Sequence, residues 1–236
     1  MNARDNVRIA NCSGYYGDKL SAAKELIEGG PIDFLTGDYL AELTMGILYS
    51  QKLKRGDDMG YVGTFLKQYR DVAKTCQAKG IKIVVNAGGL NPKSMANELN
   101  KINEELSLEM NVAYIDGDDI VDDLSTLQDQ GEEFIHLDKH VPISSSGCEI
   151  ITANVYLGAW GIVKALDLGA DVVICPRVTD ASLVIGPAAW KFGWKRDDFD
   201  KLSGALAAGH IIECGAQTTG GNYAFFQEVE TFKDIG

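Results

Sequence analysis

Histidine is scarce in this sequence, with three residues in 236, and proline and cysteine number five each. The cysteines (Cys12, Cys76, Cys148, Cys175 and Cys214) are odd in number and widely spaced, with no CxxC pair. That spacing argues against a zinc ribbon or a disulfide scaffold and fits a reducing, cytoplasmic setting. No apolar run approaches the roughly 18–20 residues of a membrane-spanning helix, so no membrane role is expected. The opening stretch MNARDNVRIANCSG has no apolar leader core, and the expectation is a chain that is not secreted by that route. Low proline, with 26 glycines that follow no period, excludes collagen-like and disordered classes. Basic residues are also outnumbered, 22 Lys and Arg against 34 Asp and Glu, for a net charge of −12. Such a chain repels phosphate backbones, so nucleic acid is not an expected partner.

Several motifs are missing as well. There is no GxxxxGK[ST] phosphate loop, no GxGxxG at a strand–helix turn and no GxSxG nucleophile elbow. No cofactor is therefore identified, and non-redox chemistry is favoured.

What is present is an alternation of short apolar runs and helical spacing. The strand-like runs are Val7–Asn11, Ile32–Thr36, Lys82–Val85, Val112–Ile115 and Asp171–Cys175. Between and after them, helical patterns cover Lys19–Glu28, Tyr39–Lys52, Tyr61–Lys79, Lys93–Met110, Ile120–Gln128, Ala159–Leu168, Ser182–Phe192 and Lys201–Ala208. In the second of these, Leu40, Leu43, Ile47 and Leu48 share one face. Residues 131–150 break the rhythm and read as an inserted loop. The pattern predicts an α/β fold: an open, doubly wound, mostly parallel sheet with helices on both faces. A partial or full βα barrel is the alternative. No repeat or linker divides residues 1–236, so one domain is expected.

Parallel α/β folds bind ligands outside the carboxyl ends of their strands. Those ends carry Asn11 and Ser13, then Asp38, then Asn86 and Gly88, then Asp116, then Arg177 and Asp180. Turns and helix caps also favour such residues, but their presence at all five ends points to a shared cleft. The spacing predicts that Asn11, Asp38, Asn86, Asp116 and Arg177 converge there. Free amides in Asn86–Gly89 would suit an anion at a helix start, and Arg177 would clamp a carboxylate or pair with a nearby Asp. His136 and His140 are four apart, as metal ligands on a helix would be, but Pro142 follows and the segment looks like a loop; no metal site is assigned. His210 stands beside Glu213, Cys214 and Gln217 in the Gly-rich stretch GHIIECGAQTTGG. His210, Glu213 and Asp38 are the candidate catalytic groups. Asn11, Ser13, Asn86, Gly88, Asp116, Arg177, Asp180 and Gln217 are the candidate substrate-binding groups.

The stretches NCSGYYGD, GPIDFLTGDYLAEL, NAGGLNP, ANVYLGAWGIV, GADVVICPRVTDASLVIGP and GHIIECGAQTTGGNY run in order through the chain. From about residue 6 onward the sequence resembles the acyclic terpene utilisation (AtuA-like) family. The resemblance implies a place in the breakdown of citronellol, geraniol and other branched acyl-CoA compounds, at the hydration or cleavage end. It supplies no catalytic residue. Members of that family usually continue well past the equivalent of Gly236, which implies a chain truncated at its C-terminus or one that a partner subunit completes. The expectation is a lyase or hydratase acting on an acyl-CoA or carboxylic acid, with a CoA thioester as substrate. A Cys214/His210 hydrolase and a non-catalytic subunit of a larger complex are the alternatives. A homo-oligomer is a further expected assembly.

Overall fold

The computed structural model describes residues 6–215 and 224–231. Five strands, β1 (Ile9–Asn11), β2 (Phe34–Gly37), β3 (Lys82–Val85), β4 (Val112–Tyr114) and β5 (Val172–Ile174), form one parallel sheet. Their order is β1-β2-β3-β5-β4, and the sheet is open. All five lie inside or within one residue of the sequence-predicted runs. The reason is physical: a strand covered on both faces must be apolar throughout, and such runs stand out.

The helices are α1 (Ala22–Gly29), α2 (Glu42–Arg55), α3 (Gly63–Lys79), α4 (Pro92–Leu106), α5 (Leu124–Asp129), α6 (Trp160–Asp167), α7 (Ser182–Phe192) and α8 (Phe199–Ile212). Alternation along the strands sorts the core into two layers. Leu35, Ile83, Val85, Val172 and Ile174 pack with Ile27, Phe65, Val72 and Leu99 of α1, α3 and α4. Phe34, Val84 and Val173 pack with Ile162, Leu166 and Leu183 of α6 and α7 on the other face. Each fully buried Leu, Ile or Phe contributes about 1.5–3 kcal/mol. The chain moves across the sheet through β1, β2, β3 and β4, then steps back to insert β5. With right-handed crossovers, that reversal sends the later helices to the opposite face. The loop after β3 leads to α4 on one face, and the loop after the adjacent β5 leads to α7 on the other. In many such folds a crevice opens between divergent loops, but here the Gly88 amide bonds the Cys175 carbonyl at 3.0 Å and ties the two together.

Three helix boundaries differ from the sequence reading in informative ways. Asn91 caps α4 by accepting the Ser94 amide at 3.1 Å, and Pro92 occupies the first turn, so the helix starts where that chemistry dictates. The apolar face expected of α2 is not its buried face. Thr44, Met45 and Leu48 are buried, Leu43 is 77% exposed and Leu40 precedes the helix. α2 leaves β2 at the carboxyl edge and returns to it, where the Val62 amide bonds the Ala87 carbonyl, so only a narrow strip of it meets the core. α8 continues to Ile212, absorbing His210 into its last turn where a short Gly-rich segment was expected. Within 131–150, Ile135 and Pro142 form an isolated antiparallel bridge and residues 143–145 a single 3₁₀ turn.

Candidate functional site

All five strands point the same way, so their carboxyl ends share one edge. At the end of β1, buried Asn11 accepts from the Thr36 hydroxyl at 3.2 Å. Its amide donates to the carbonyls of Ser13 and Ile212, both at 3.0 Å, and to that of Glu213. Carbonyls at a helix end need outside donors, and Asn11 supplies them for α8. Gly209 permits the same docking: a Cβ there would stand 2.7 Å from Ala181 Cβ at the start of α7. Together they bring Glu213 up beside the end of β2.

At that end sits Asp38, only 6% exposed. The Asn86 side-chain amide and the Leu40 backbone amide both donate to its Oδ1. Asn86 is itself fixed, because its Oδ1 accepts the Tyr39 amide at 2.8 Å. With Oδ1 accepting twice, a proton on this carboxyl belongs on Oδ2. Burial pushes the Asp38 carboxyl up to about 7; the Asn86 and Leu40 bonds oppose that rise, and the charges of Asp180 and Glu213 add to it. Glu213 is raised too, by burial and by Asp180, while His210 and the Cys214 thiol hold it down. One oxygen of Glu213, Oε2, is buried with no hydrogen-bond partner among the described residues. Asp38, Asp180 and Glu213 pack with Asn11, Thr36, Leu183, Val184, Gly209 and Ile212 around a gap too small to hold a water molecule.

Arg177, after β5, is also buried, at 4% exposure. Its Nη1 donates to the Leu40 carbonyl at 2.7 Å, its Nη2 reaches Glu42 at 3.2 Å, and its plane lies 4.3 Å from the Tyr156 ring centroid. Tyr156 in turn bonds Glu42. The guanidinium thus braces the start of α2, with both terminal nitrogens engaged there. The Arg177 backbone amide bonds Asp118 at 3.1 Å, and Asn154 bonds the same oxygen at 2.9 Å.

The sequence-predicted groups divide accordingly. Asn11, Asp38, Asn86, Asp180 and Glu213 come together. Arg177 stands one step along the edge, joined through Leu40, which follows Asp38 by two residues. Asp116 points into solvent at the edge strand, and its neighbour Asp118 is the buried one. The run DGDD gave no signal to separate the two. Ser13 is buried and donates to the Tyr15 carbonyl at 3.0 Å. Gly88 serves packing, since a Cβ would fall 2.7 Å from the Cys175 carbonyl oxygen. The amides of Gly88, Gly89, Leu90 and Asn91 all bond backbone carbonyls, so the Asn86–Gly89 loop offers no row of free donors to an anion. His210 is exposed. The Cys214 thiol meets Glu213 Oε1 at 3.9 Å, and burial together with the Glu213, Asp38 and Asp180 charges raises its pKa. Gln217 lies outside the described residues. His136 Nδ1 accepts the Asp138 and Lys139 amides within its turn. Among the described residues no three His, Cys, Asp or Glu side chains are placed to hold a metal ion, and no helix is long and apolar enough to cross a membrane. Glu42, Asp118, Asn154 and Tyr156 were missed as members of the site. Their roles depend on contacts across 36–135 residues of chain, which no local pattern encodes.

No curated protein and no solved structure matches this chain. The sequence model of the acyclic terpene utilisation family protein AtuA matches residues 7–236, nearly the whole chain and every element of the site, and the protein belongs to that family.

Proposed function

We propose that this protein is a lyase or hydratase of branched acyl-CoA thioesters in acyclic terpene utilisation, with Asp38 as the group that gives and takes the proton. The observation that supports this reading is the buried carboxyl of Asp38, raised to about 7 and oriented by Asn86. A group with a pKa near the working pH serves as both acid and base. In hydration, ionised Asp38 takes a proton from water as its oxygen adds to the β-carbon. The proton then passes to the α-carbon. In cleavage, it takes the β-hydroxyl proton as the Cα–Cβ bond breaks, and returns it to the thioester fragment. Burial, with smaller contributions from the Asp180 and Glu213 charges, keeps both forms of the carboxyl within reach near neutral pH.

The Cys214 hydrolase is the less favoured enzyme reading, because its acidic surroundings oppose the thiolate that would attack. A partner-binding role is the second class of reading, favoured by Leu137, 88% exposed at the tip of the 131–150 insert. Incubation with α,β-unsaturated and β-hydroxy acyl-CoA esters, with mass detection of water addition or chain cleavage, tests the proposal. Asp38→Asn is expected to lose roughly 10²–10⁴ in rate. Turnover that is indifferent to Asp38→Asn refutes the assignment.

A further inference from the structure

A groove of about 330 Å³ runs along β1, the strand at the open edge of the sheet, between α7 and α8. Val7 and Ile9 form its floor, and exposed Ala208 stands on its α8 wall. Phe192 and Trp194, with ring centroids 5.5 Å apart, close the end far from the strands' carboxyl edge. Among the described residues no charged or hydroxyl side chain lines it. At the other end, Val184 and Ile212 belong both to this groove and to the packing around Asp38, Asp180 and Glu213. From Val184 to Phe192, α7 advances eight residues, about 12 Å at 1.5 Å each. A carbon-lined groove therefore abuts a packed cluster of carboxyls.

The polarity at the two ends limits what fits. Three carboxyls stand beside the Val184–Ile212 end of the groove, and the nearby guanidinium of Arg177 is bound to Leu40 and Glu42. A free carboxylate would be repelled there, whereas an uncharged carbonyl, hydroxyl or double bond would not. The groove's volume lies in the range of small-molecule sites, about 300–1,000 Å³. A protein partner would need a far wider patch, about 800 Å² on each side.

We propose that this groove receives the hydrocarbon chain of the substrate, that Ala208 and Phe192 set the chain length it accepts, and that the end presented to Asp38 is uncharged. The placement of the reacting end rests on the reading of Asp38 given above; the groove itself does not.

Binding of 1-butanol, 1-hexanol, 1-octanol, 1-decanol, 1-dodecanol and 1-tetradecanol to the full chain, measured by calorimetry, tests the assignment. Each added methylene should tighten binding roughly three- to fourfold, with a plateau near a chain of about ten carbons, the span of 12 Å. Decanoate at pH 8 should bind about tenfold more weakly than decanol, because its charge faces the carboxyls. Ala208→Phe, made at an exposed position, should weaken decanol by about tenfold or more and leave butanol unchanged. Phe192→Ala opens the far end and should move the plateau to longer chains, a test that holds even if Ala208→Phe does not fold. Asp38→Asn removes one of the facing charges and should narrow the gap between decanol and decanoate at pH 8. Normal turnover in that variant, with decanol binding intact, would sink the Asp38 assignment and leave the groove standing. Affinity independent of chain length, or unchanged in both groove variants, overturns the groove whatever Asp38 does. So does a dimer that Ala208→Phe dissociates in sedimentation, because a second copy would then be the occupant.

Discussion

Replacing Arg177 by Met removes a buried guanidinium whose surroundings state what it does. The variant keeps the aliphatic stem but loses the bond to the Leu40 carbonyl at 2.7 Å, the contact with Glu42 at 3.2 Å and the face-on packing with Tyr156 at 4.3 Å. A charged hydrogen bond lost from a buried carbonyl costs about 1.5–3 kcal/mol. The cation–ring contact contributes about 1 kcal/mol. The Glu42 pair adds less than about 1 kcal/mol, because that side chain is 81% exposed. The sum is roughly 2.5–5 kcal/mol. With a urea slope of about 1–3 kcal/mol per molar, the unfolding midpoint should fall by about 1 M or more. Urea titration followed by circular dichroism reads that shift, and a double-mutant cycle with Tyr156→Leu should show coupling between the two side chains. An unchanged midpoint together with collapsed substrate use would refute the brace and restore Arg177 as an anion clamp.

Three further outcomes are expected. Asp38 holds its proton more tightly folded, at about 7, than unfolded, where a carboxyl titrates near 4. The resulting stability is complete below the unfolded value and is lost as pH rises through about 7. Asp38→Asn should therefore match the native chain near pH 4 and exceed it at pH 8, by up to roughly 4 kcal/mol in urea unfolding; equal stability at pH 8 would count against the raised carboxyl. Cys148 is exposed and Cys214 sits among carboxyls, so peptide mapping after brief iodoacetamide treatment should find Cys148 modified first, and Cys214→Ser should remain active. Gly88→Ala places a methyl 2.6 Å from Pro92 Cβ and 2.7 Å from the Cys175 oxygen, and its thermal unfolding should reveal a loss of about 1–3 kcal/mol.

The sheet was legible because a parallel strand covered on both faces leaves an unbroken apolar run, as KIVV and DVVIC do. The carboxyl-edge site was legible in outline for the same reason: Asn11, Asp38 and Asn86 are the first polar residues after such runs. Their division of labour was not. Asn11 and Asn86 read as ligand-binding amides, yet each is consumed inside the protein, one holding the end of α8 and the other orienting Asp38. Arg177 read as a clamp or as the partner of a nearby Asp, because its acceptor is a backbone carbonyl, which has no sequence signature. The buried face of α2 was misread because that helix stands out from the sheet edge, where periodicity alone does not say which side meets the core.

The central claim is that Asp38 is a proton-exchanging carboxyl poised near neutrality. Titration of the aspartate side-chain carboxyl carbons by ¹³C NMR, with the Asp38 signal assigned by its disappearance in Asp38→Asn, tests it directly. The account predicts a midpoint close to 7 for that signal. A midpoint near 4, the ordinary aspartate value, would contradict it.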